Sequence, residues 1–560
     1  MRTSFKGLLS LLSLLALPVV VQAQFTFTTN NGAITITGYT GSGGEVIIPS
    51  STNGLPVTAI GTGAFQSKTT VTSITIPDSI TSIGTNAFRA CSSLTNATLG
   101  NNVTNLADSA FSWCGKLTSF EIPDSVANIA SHEFDSCSGL TNVTIGNSVT
   151  NIGTSAFSMC THLTSVTIPD SVLNIGGSAF YSCAALTNVT FGTNLSSIGN
   201  SAFNCANLSS VIIPSSIKSL GNGAFSGNIK MTTAAIYGGY GVGTFTVCPA
   251  LTNVTIGTNV PGIGDSMFSG CYKLTNVAIP DSATNIGKCA FQYCFNLANV
   301  SIGNGVTNIG DSAFQSCTSL TNLIIGSRVA WIGSSAFQGC TNLIELTIPN
   351  SVTSIGGFTF QSCSNLTSVT IPDSVEWLAG GDFQYCARLT NIMIGKGLTS
   401  IGDYTFNFCF ALTSVTIPDS ISHIGMRAFV GCSNLTGAYF KGNAPSVDST
   451  AFSGDNNATV YYMPGTRGWG STFGGRPTAP WPLPYPVILT SSPDFGLQTN
   501  GMGFTICWAT NIPVVVEACT SLASDDWSPV GTNTFTNGLS CFSDPLWTNY
   551  PARLYRLRSP

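Results

Sequence analysis

Phenylalanine returns at a fixed 23-residue interval along most of this chain: Phe65, Phe88, Phe111, Phe134, Phe157, Phe180 and Phe203, then Phe245, Phe268, Phe291 and onward to Phe452. Phe225 stands between the two runs, 22 residues after Phe203 and 20 before Phe245. A period of this size marks stacked units that each contact only their neighbours. One unit reads Ile152-Gly153-Thr154-Ser155-Ala156-Phe157, then Cys160, then Leu163-Thr164-Ser165-Val166-Thr167-Ile168. The last stretch alternates, so Val166 and Ile168 face one way and Ser165 and Thr167 the other, as in a short strand. A Pro-Asp-Ser turn (Pro169 to Ser171) or a Gly-Asn-Ser turn (Gly146 to Ser148) follows, and proline stops a strand because it has no N–H for the ladder. Val172, Ile175, Ala179 and Phe180 come next with helical or 3-10 spacing, which supplies the opposite wall of a core. A single unit has no way to bury both walls. The pattern therefore predicts a solenoid with a parallel sheet along one side, in which about seventeen rungs at ~4.8 Å would extend roughly 80 Å.

As a repeated set, Ile-Pro-Asp-Ser-Val, Ile-Gly, Ser-Ala-Phe, Cys and Leu-Thr-Ser-Val-Thr-Ile resemble the BspA-like leucine-rich repeats of surface and secreted proteins, over residues 60–463. The resemblance implies adhesion and protein–protein interaction, with no cofactor. It also sets the expected fold: a leucine-rich-repeat solenoid of 23-residue repeats, with a parallel β-sheet on one face and short helical or 3-10 segments on the other. Residues 24–59, including Gly32 to Tyr39, resemble the β-rich cap that opens such arrays. Residues 464–486 dissolve into Gly, Pro and Trp, which reads as the end of the array and a linker. In 487–560, Phe504 to Trp508 and Val514 to Ala518 read as strands, and Trp527, Phe535, Phe542, Trp547 and Tyr555 can fill a small core. The expectation there is a small all-β, sandwich-like C-terminal domain.

Composition narrows the function. Charged residues make up 8% of the chain, against about 25% in a typical globular protein, and the net charge is −5. No basic stripe is available for a nucleic-acid backbone. Arg2 and Lys6 precede an apolar run from Leu8 to Val21, and Val21-Gln22-Ala23 reads as a cleavage site. Residues 1–23 thus have the layout of a secretory signal peptide. The expectation is a secreted or cell-surface protein with no membrane span once the leader is removed.

No catalytic, cofactor or metal set emerges from the remaining residues. Most of the 19 cysteines stand three residues after a periodic phenylalanine, from Cys91 to Cys432. None forms the C-x-x-C pair of a zinc site, so they read as small buried thiols facing the core. Asp78, Asp124, Asp170, Asp281, Asp373 and Asp419 share one turn position, where a carboxylate can satisfy the turn's own backbone amides. His132, His162 and His423 sit at unrelated positions, without the partner that a nucleophile–base pair needs. The outward strand face is the stronger candidate. It is a neutral field of Ser, Asn and Thr interrupted by Glu121, Ile212, Ile324, Glu345 and Met393. In one shortened repeat, Tyr237 and Tyr240 stand in a glycine-rich loop, and tyrosines make effective contact anchors. The candidate binding residues are therefore Tyr237, Tyr240, Glu121, Glu345 and Met393, and the expected partner is an extracellular protein or a polysaccharide. The alternatives are a glycan-binding scaffold and a solenoid carbohydrate-active enzyme.

Overall fold

The computed structural model describes residues 24–204, 207–483, 485–489, 495–498, 501–508, 513–521, 526–535, 539–550 and 552–558. The expected leader, 1–23, lies outside them, as does Cys205. The chain divides into two compact units, Met1–Val329 and Ala330–Pro560. In both, each repeat forms one coil of a β-solenoid.

Within the first unit the alternating segments form a row of parallel strands. Ser165–Thr167 pairs in register with Asn188–Thr190, so Val166 lies beside Val189 and Thr167 beside Thr190. Farther on, Ser210–Ile213, Thr233–Ile236, Asn253–Ile256, Asn276–Ile279, Asn299–Ile302 and Asn322–Ile324 follow one another in a single sheet. In Ser165–Thr167 the central valine is buried and its neighbours are exposed, as alternation requires. A second, shorter row runs beside the core, with two-residue strands such as Asn128–Ile129, Asn151–Ile152 and Asn174–Ile175 stacked in parallel.

The third side of each coil corrects the sequence reading: it is built of turns. Within it, Ala156 N–H bonds the Gly153 carbonyl and Cys160 N–H the Phe157 carbonyl, each three residues back. Between these, Ser155, Phe157 and Met159 N–H groups leave the coil and bond Gly177, Ala179 and Tyr181 carbonyls of the next. A helix would direct all of them inward along its own axis. Ser155 (φ 54°) and Met159 (φ 58°) also adopt left-handed backbone, which breaks a right-handed helix at two points four residues apart. The spacing of Val172, Ile175, Ala179 and Phe180 mimics a helix because the short strand Asn174–Ile175 and the turns on either side of it bury side chains at similar intervals.

Two ladders fill the core. The periodic phenylalanines are fully buried, and successive rings stack, as in Phe134–Phe157 (5.2 Å, 5°) and Phe157–Phe180 (5.2 Å, 9°). The thiols do more than fill space, since Cys160 Sγ donates to the Phe134 carbonyl at 3.2 Å and Cys183 Sγ to the Phe157 carbonyl at 3.2 Å. Where Cys is absent, buried Asn228 does the same work, donating to the Phe203 and Phe225 carbonyls at 3.0 and 2.7 Å. The first end of this core is closed by an antiparallel hairpin, Phe25–Asn30 with Ala33–Tyr39. Tyr39 stacks on Phe65 at 5.1 Å.

The second unit repeats the plan through Phe452, whose ring stacks on Phe429 at 4.9 Å. Its ladder of strands continues past the periodic repeats: Gly437–Phe440 pairs with Thr459–Tyr462, and that strand with Arg476–Pro480. The described residues from 487 onward form two antiparallel sheets, one on Gly501–Cys507 and one on Val514–Cys519. Phe504 and Phe542 of the first sheet share a buried cluster with Val516 of the second. Trp547–Asn549 makes one 3-10 turn, and no α-helix occurs among the described residues.

Candidate functional site

The outward side chains of the long strands form columns along the solenoid. Threonines just before the strands are already engaged: Thr118 Oγ1 bonds the Thr95 carbonyl at 3.3 Å and Thr141 Oγ1 the Thr118 carbonyl at 2.9 Å. The turn aspartates are engaged as well, but not with their own turns. Asp124 Oδ1 accepts the Asn147 N–H at 2.7 Å, and Asp170 Oδ1 accepts the Thr193 N–H at 2.7 Å, each from the next coil. The Thr193 N–H and hydroxyl hold the Asp170 carboxyl below its usual range. Open clefts of about 630, 690 and 440 Å³ lie at the strand ends beside Asp170, Asp281 and Asp373. Each cleft holds a single carboxylate, whereas acid–base hydrolysis of a glycoside needs two.

The five sequence candidates are all exposed, yet the structure does not gather them. Glu121 occupies the strand Ser119–Glu121 beside Thr144. Glu345 and Met393 belong to the same three-strand group but to different columns, with Glu345 beside Ser368 and Met393 beside Thr370. Met393 lines the Asp373 cleft. Tyr237 and Tyr240 flank the shortened coil, whose backbone still serves the ladder: the Tyr240 carbonyl accepts the Leu220 N–H at 3.2 Å. Glycine is required there because a Cβ on Gly238 would stand 2.8 Å from the Ile217 carbonyl oxygen. The histidines are engaged separately or exposed. His162 Nδ1 meets the Ser138 carbonyl at 2.6 Å and His423 Nδ1 the Ser446 hydroxyl at 2.9 Å, while His132 is an exposed turn residue.

Among the described residues of the repeats three carboxyls are buried in the core, apart from Glu517 and Asp544 of the C-terminal sheets, which are paired with arginines. Glu133 takes the place of alanine before Phe134 and receives only the Ala110 N–H at 3.4 Å. Asp382 occupies the same place before Phe383 and receives the Gly380 N–H at 3.1 Å. Burial pushes both well above the carboxylate range. Asp455 stands at the end of the cysteine ladder, where burial lifts it to about 7. All three lie inside packed walls that a substrate does not reach. No cluster of three metal-ligating side chains occurs among the described residues.

Sequence reasoning missed a different feature: exposed rings on the turn side. Tyr272 stacks on Phe295 at 5.4 Å, and Tyr293 tilts against Phe295 at 6.0 Å. The second unit has a related cluster in the neighbouring column, with Tyr385 stacked on Phe408 at 5.1 Å and Phe410 tilted against Phe408 at 5.8 Å. Tyr272, Tyr293, Phe295, Tyr385 and Phe410 are 41–44% exposed. Tyr293, Tyr385 and Phe408 also hold φ near +60°, a conformation that costs a bulky residue about 1 kcal/mol or more. Most other coils put Ser or Gly at that position. The readable signal was an aromatic two or four residues after the periodic Phe in adjacent coils, where most coils carry small side chains and Trp113, Met159, Val247 and Ile229 are isolated exceptions.

Comparisons with known proteins agree with this architecture. A family profile described as the BspA type leucine-rich repeat region (6 copies) matches residues 58–174, 127–241, 239–366 and 330–459. Among solved structures, a leucine-rich repeat protein from Bacteroides ovatus is 26% identical, covering 66% of this chain and 97% of that one, with a TM-score of 0.51. A leucine-rich cell surface protein from Faecalibacterium prausnitzii is 28% identical over 66% of this chain and 93% of that one (TM-score 0.37). The leucine-rich repeat protein of T. pallidum is 25% identical over 41% and 88% (TM-score 0.28). A comparison with curated proteins gives no match. The matched segments run through the phenylalanine and cysteine ladders described above, and on that basis the chain belongs to the BspA-type leucine-rich repeat family.

Proposed function

We propose that this chain is exported and acts as a non-enzymatic interaction scaffold, holding extracellular protein partners against its exposed rings and long-strand face. The ring triads Tyr272–Tyr293–Phe295 and Tyr385–Phe408–Phe410 carry the reading. Tyr293, Tyr385 and Phe408 stand against the local backbone preference, their neighbours Tyr272, Phe295 and Phe410 are exposed, and aromatic anchors of this kind supply much of the energy in protein interfaces. Glu121, Tyr237, Tyr240, Glu345 and Met393 are secondary contacts in this reading. The chain is organised as a leader (1–23), a β cap (24–59), the repeats (60–463), a junction (464–486) and a C-terminal β domain (487–560). The leader layout supports export, and no helix among the described residues is long and apolar enough to cross a membrane.

The test is to present the full chain without its leader to a panel of extracellular matrix proteins and polysaccharides. A protein ligand that the wild type retains should be released by Tyr385→Ala with Phe410→Ala. Equal retention by that variant, and by Tyr272→Ala with Tyr293→Ala, would contradict the assignment. No turnover of the polysaccharides is expected, and measurable hydrolysis or elimination would remove the non-enzymatic part.

A further inference from the structure

The short strand row of the second unit carries an alternation that the first unit lacks. In the first unit its outward column is Asn and Ser, and neighbouring side chains bond one another between coils. Asn105 Nδ2 donates to Ser82 Oγ at 3.0 Å, and Ser197 Oγ to Asn174 Oδ1 at 2.7 Å. At those two places the column satisfies itself. In the second unit the column reads Trp331, Ser354, Trp377, Ser400, His423, Ser446, one residue per coil. Trp331 pairs in register with Ser354 and Ser354 with Trp377, and His423 pairs with both Ser400 and Ser446. Every second coil thus raises a planar ring, and the coil between leaves a short hydroxyl.

We propose that this column is a carbohydrate-binding row, with a slot between Trp331 and Trp377, floored by Ser354, that takes one pyranose ring of a neutral saccharide. Two coils separate the indoles by ~9.6 Å. A six-membered ring midway lies ~4.8 Å from each, within the ~4.5–7 Å range of ring stacking. The C–H face of a pyranose is weakly positive and meets the negative face of an indole. Trp377 is 55% exposed, so a stacked ring would cover surface that the fold leaves in water. Polar groups suited to sugar hydroxyls stand beside the slot: Ser354 on its floor and exposed Glu376 next to it, while Thr353 Oγ1 donates to the Ala330 carbonyl at 3.2 Å and has only its acceptor side to offer. Glu376 is the one charge among the residues that directly precede this column (Ala330, Thr353, Glu376, Thr399 and Ser422), and its sign favours a neutral sugar over a polyanion. The row continues through Ser400 to His423, whose ring is held by the Ser446 hydroxyl at 2.9 Å. An extended saccharide therefore has a second ring to reach. The assignment uses none of the ring triads or long-strand residues, so it stands or falls apart from the protein-binding reading.

The full chain without its leader is titrated with cellohexaose, mannohexaose and xylohexaose, following tryptophan emission and heat. At least one should bind. Trp377→Ala and Trp331→Ala should each weaken it about tenfold or more. Ser354→Trp, which fills the slot while keeping a good strand residue, should abolish binding with thermal unfolding unchanged. Asn105→Ala, in the short row of the first unit, should bind like the wild type. The proposal is overturned if none of the three hexasaccharides binds, if Trp377→Ala binds as well as wild type, or if a polyproline peptide alone perturbs the emission.

Discussion

Most coils place a thiol within reach of a buried carbonyl of the previous coil. The Cys160 Sγ bond to Phe134 is one of a long series, and burial pushes Cys183 and Cys363 up to about 12. Thiolate is the reactive form, so we expect few cysteines to react with a thiol reagent in the native protein. After unfolding without reductant the count should approach 19; a low count would mean that neighbouring coils are cross-linked. Glu133 gives the opposite kind of test. Its folded carboxyl sits well above its ordinary value through burial, so the fold favours the acid form. That contribution is complete below the unfolded pKa of ~4.3 and is lost as pH rises toward the folded value. Glu133→Ala restores the residue that most coils carry, and should stabilise the protein by about 1–3 kcal/mol at pH 7.5, with the gain shrinking toward pH 4. Denaturant titrations at the two pH values check it. Asp170 acts with the other sign: its lowered carboxyl stabilises above the unfolded value and that support fades on acidification. The position of Glu133 was legible in the repeat register, since it interrupts Ser-Ala-Phe. The thiol bonds were not, because periodicity reports that a side chain is buried and not what it donates to.

At the level of the turn, the alternation of Pro-Asp with Gly-Asn has a cause that lies between coils. A Cβ on Gly146 would stand 2.7 Å from the Pro123 carbonyl oxygen of the preceding turn. In the same turn the Asn147 N–H is accepted by Asp124. The proline turn presents a carbonyl and a carboxylate, and the glycine turn fits closely enough to use them. We expect Gly146→Ala to lower stability by about 1–3 kcal/mol through backbone displacement, and Asp124→Ala to cost less because water can replace an exposed carboxylate. A larger loss from Asp124→Ala in a denaturant titration would show that charge, not fit, sets the alternation. The strands were legible because Val166 and Ile168 alternate with Ser165 and Thr167. The turn side was misread as helix because Val172, Ile175, Ala179 and Phe180 satisfy a helical spacing equally well. What decides between the two is the left-handed backbone at Ser178 (φ 54°) and Ser182 (φ 56°), and serine carries no clear signal of that conformation.

Across the molecule, the proposed sites lie on surfaces that repeat, and this is why they were harder to read than the fold. Glu121, Glu345 and Met393 stood out as breaks in a neutral strand face, but breaks in different columns do not make one site. The ring triads and the tryptophan column are gathered by the stacking register, which brings residues 23 or 46 apart into contact or alignment. With 19 basic and 24 acidic residues in 560, neither surface has the charge to steer or hold a partner over distance. Binding through rings and neutral hydroxyls leaves little for salt to screen beyond the ~10 Å Debye length at 0.1 M. We therefore expect the affinity of the full chain for a recovered protein partner to change by less than about threefold between 0.05 and 0.5 M salt. A single Thr370→Ala on the strand face should be silent, whereas Tyr385→Ala with Phe408→Ala should cost about 2 kcal/mol or more. Association measured by surface plasmon resonance across that salt series decides the matter. A fall of tenfold or more with salt would place the contact on the few charged side chains, Glu121 and Glu345 among them, and away from the rings.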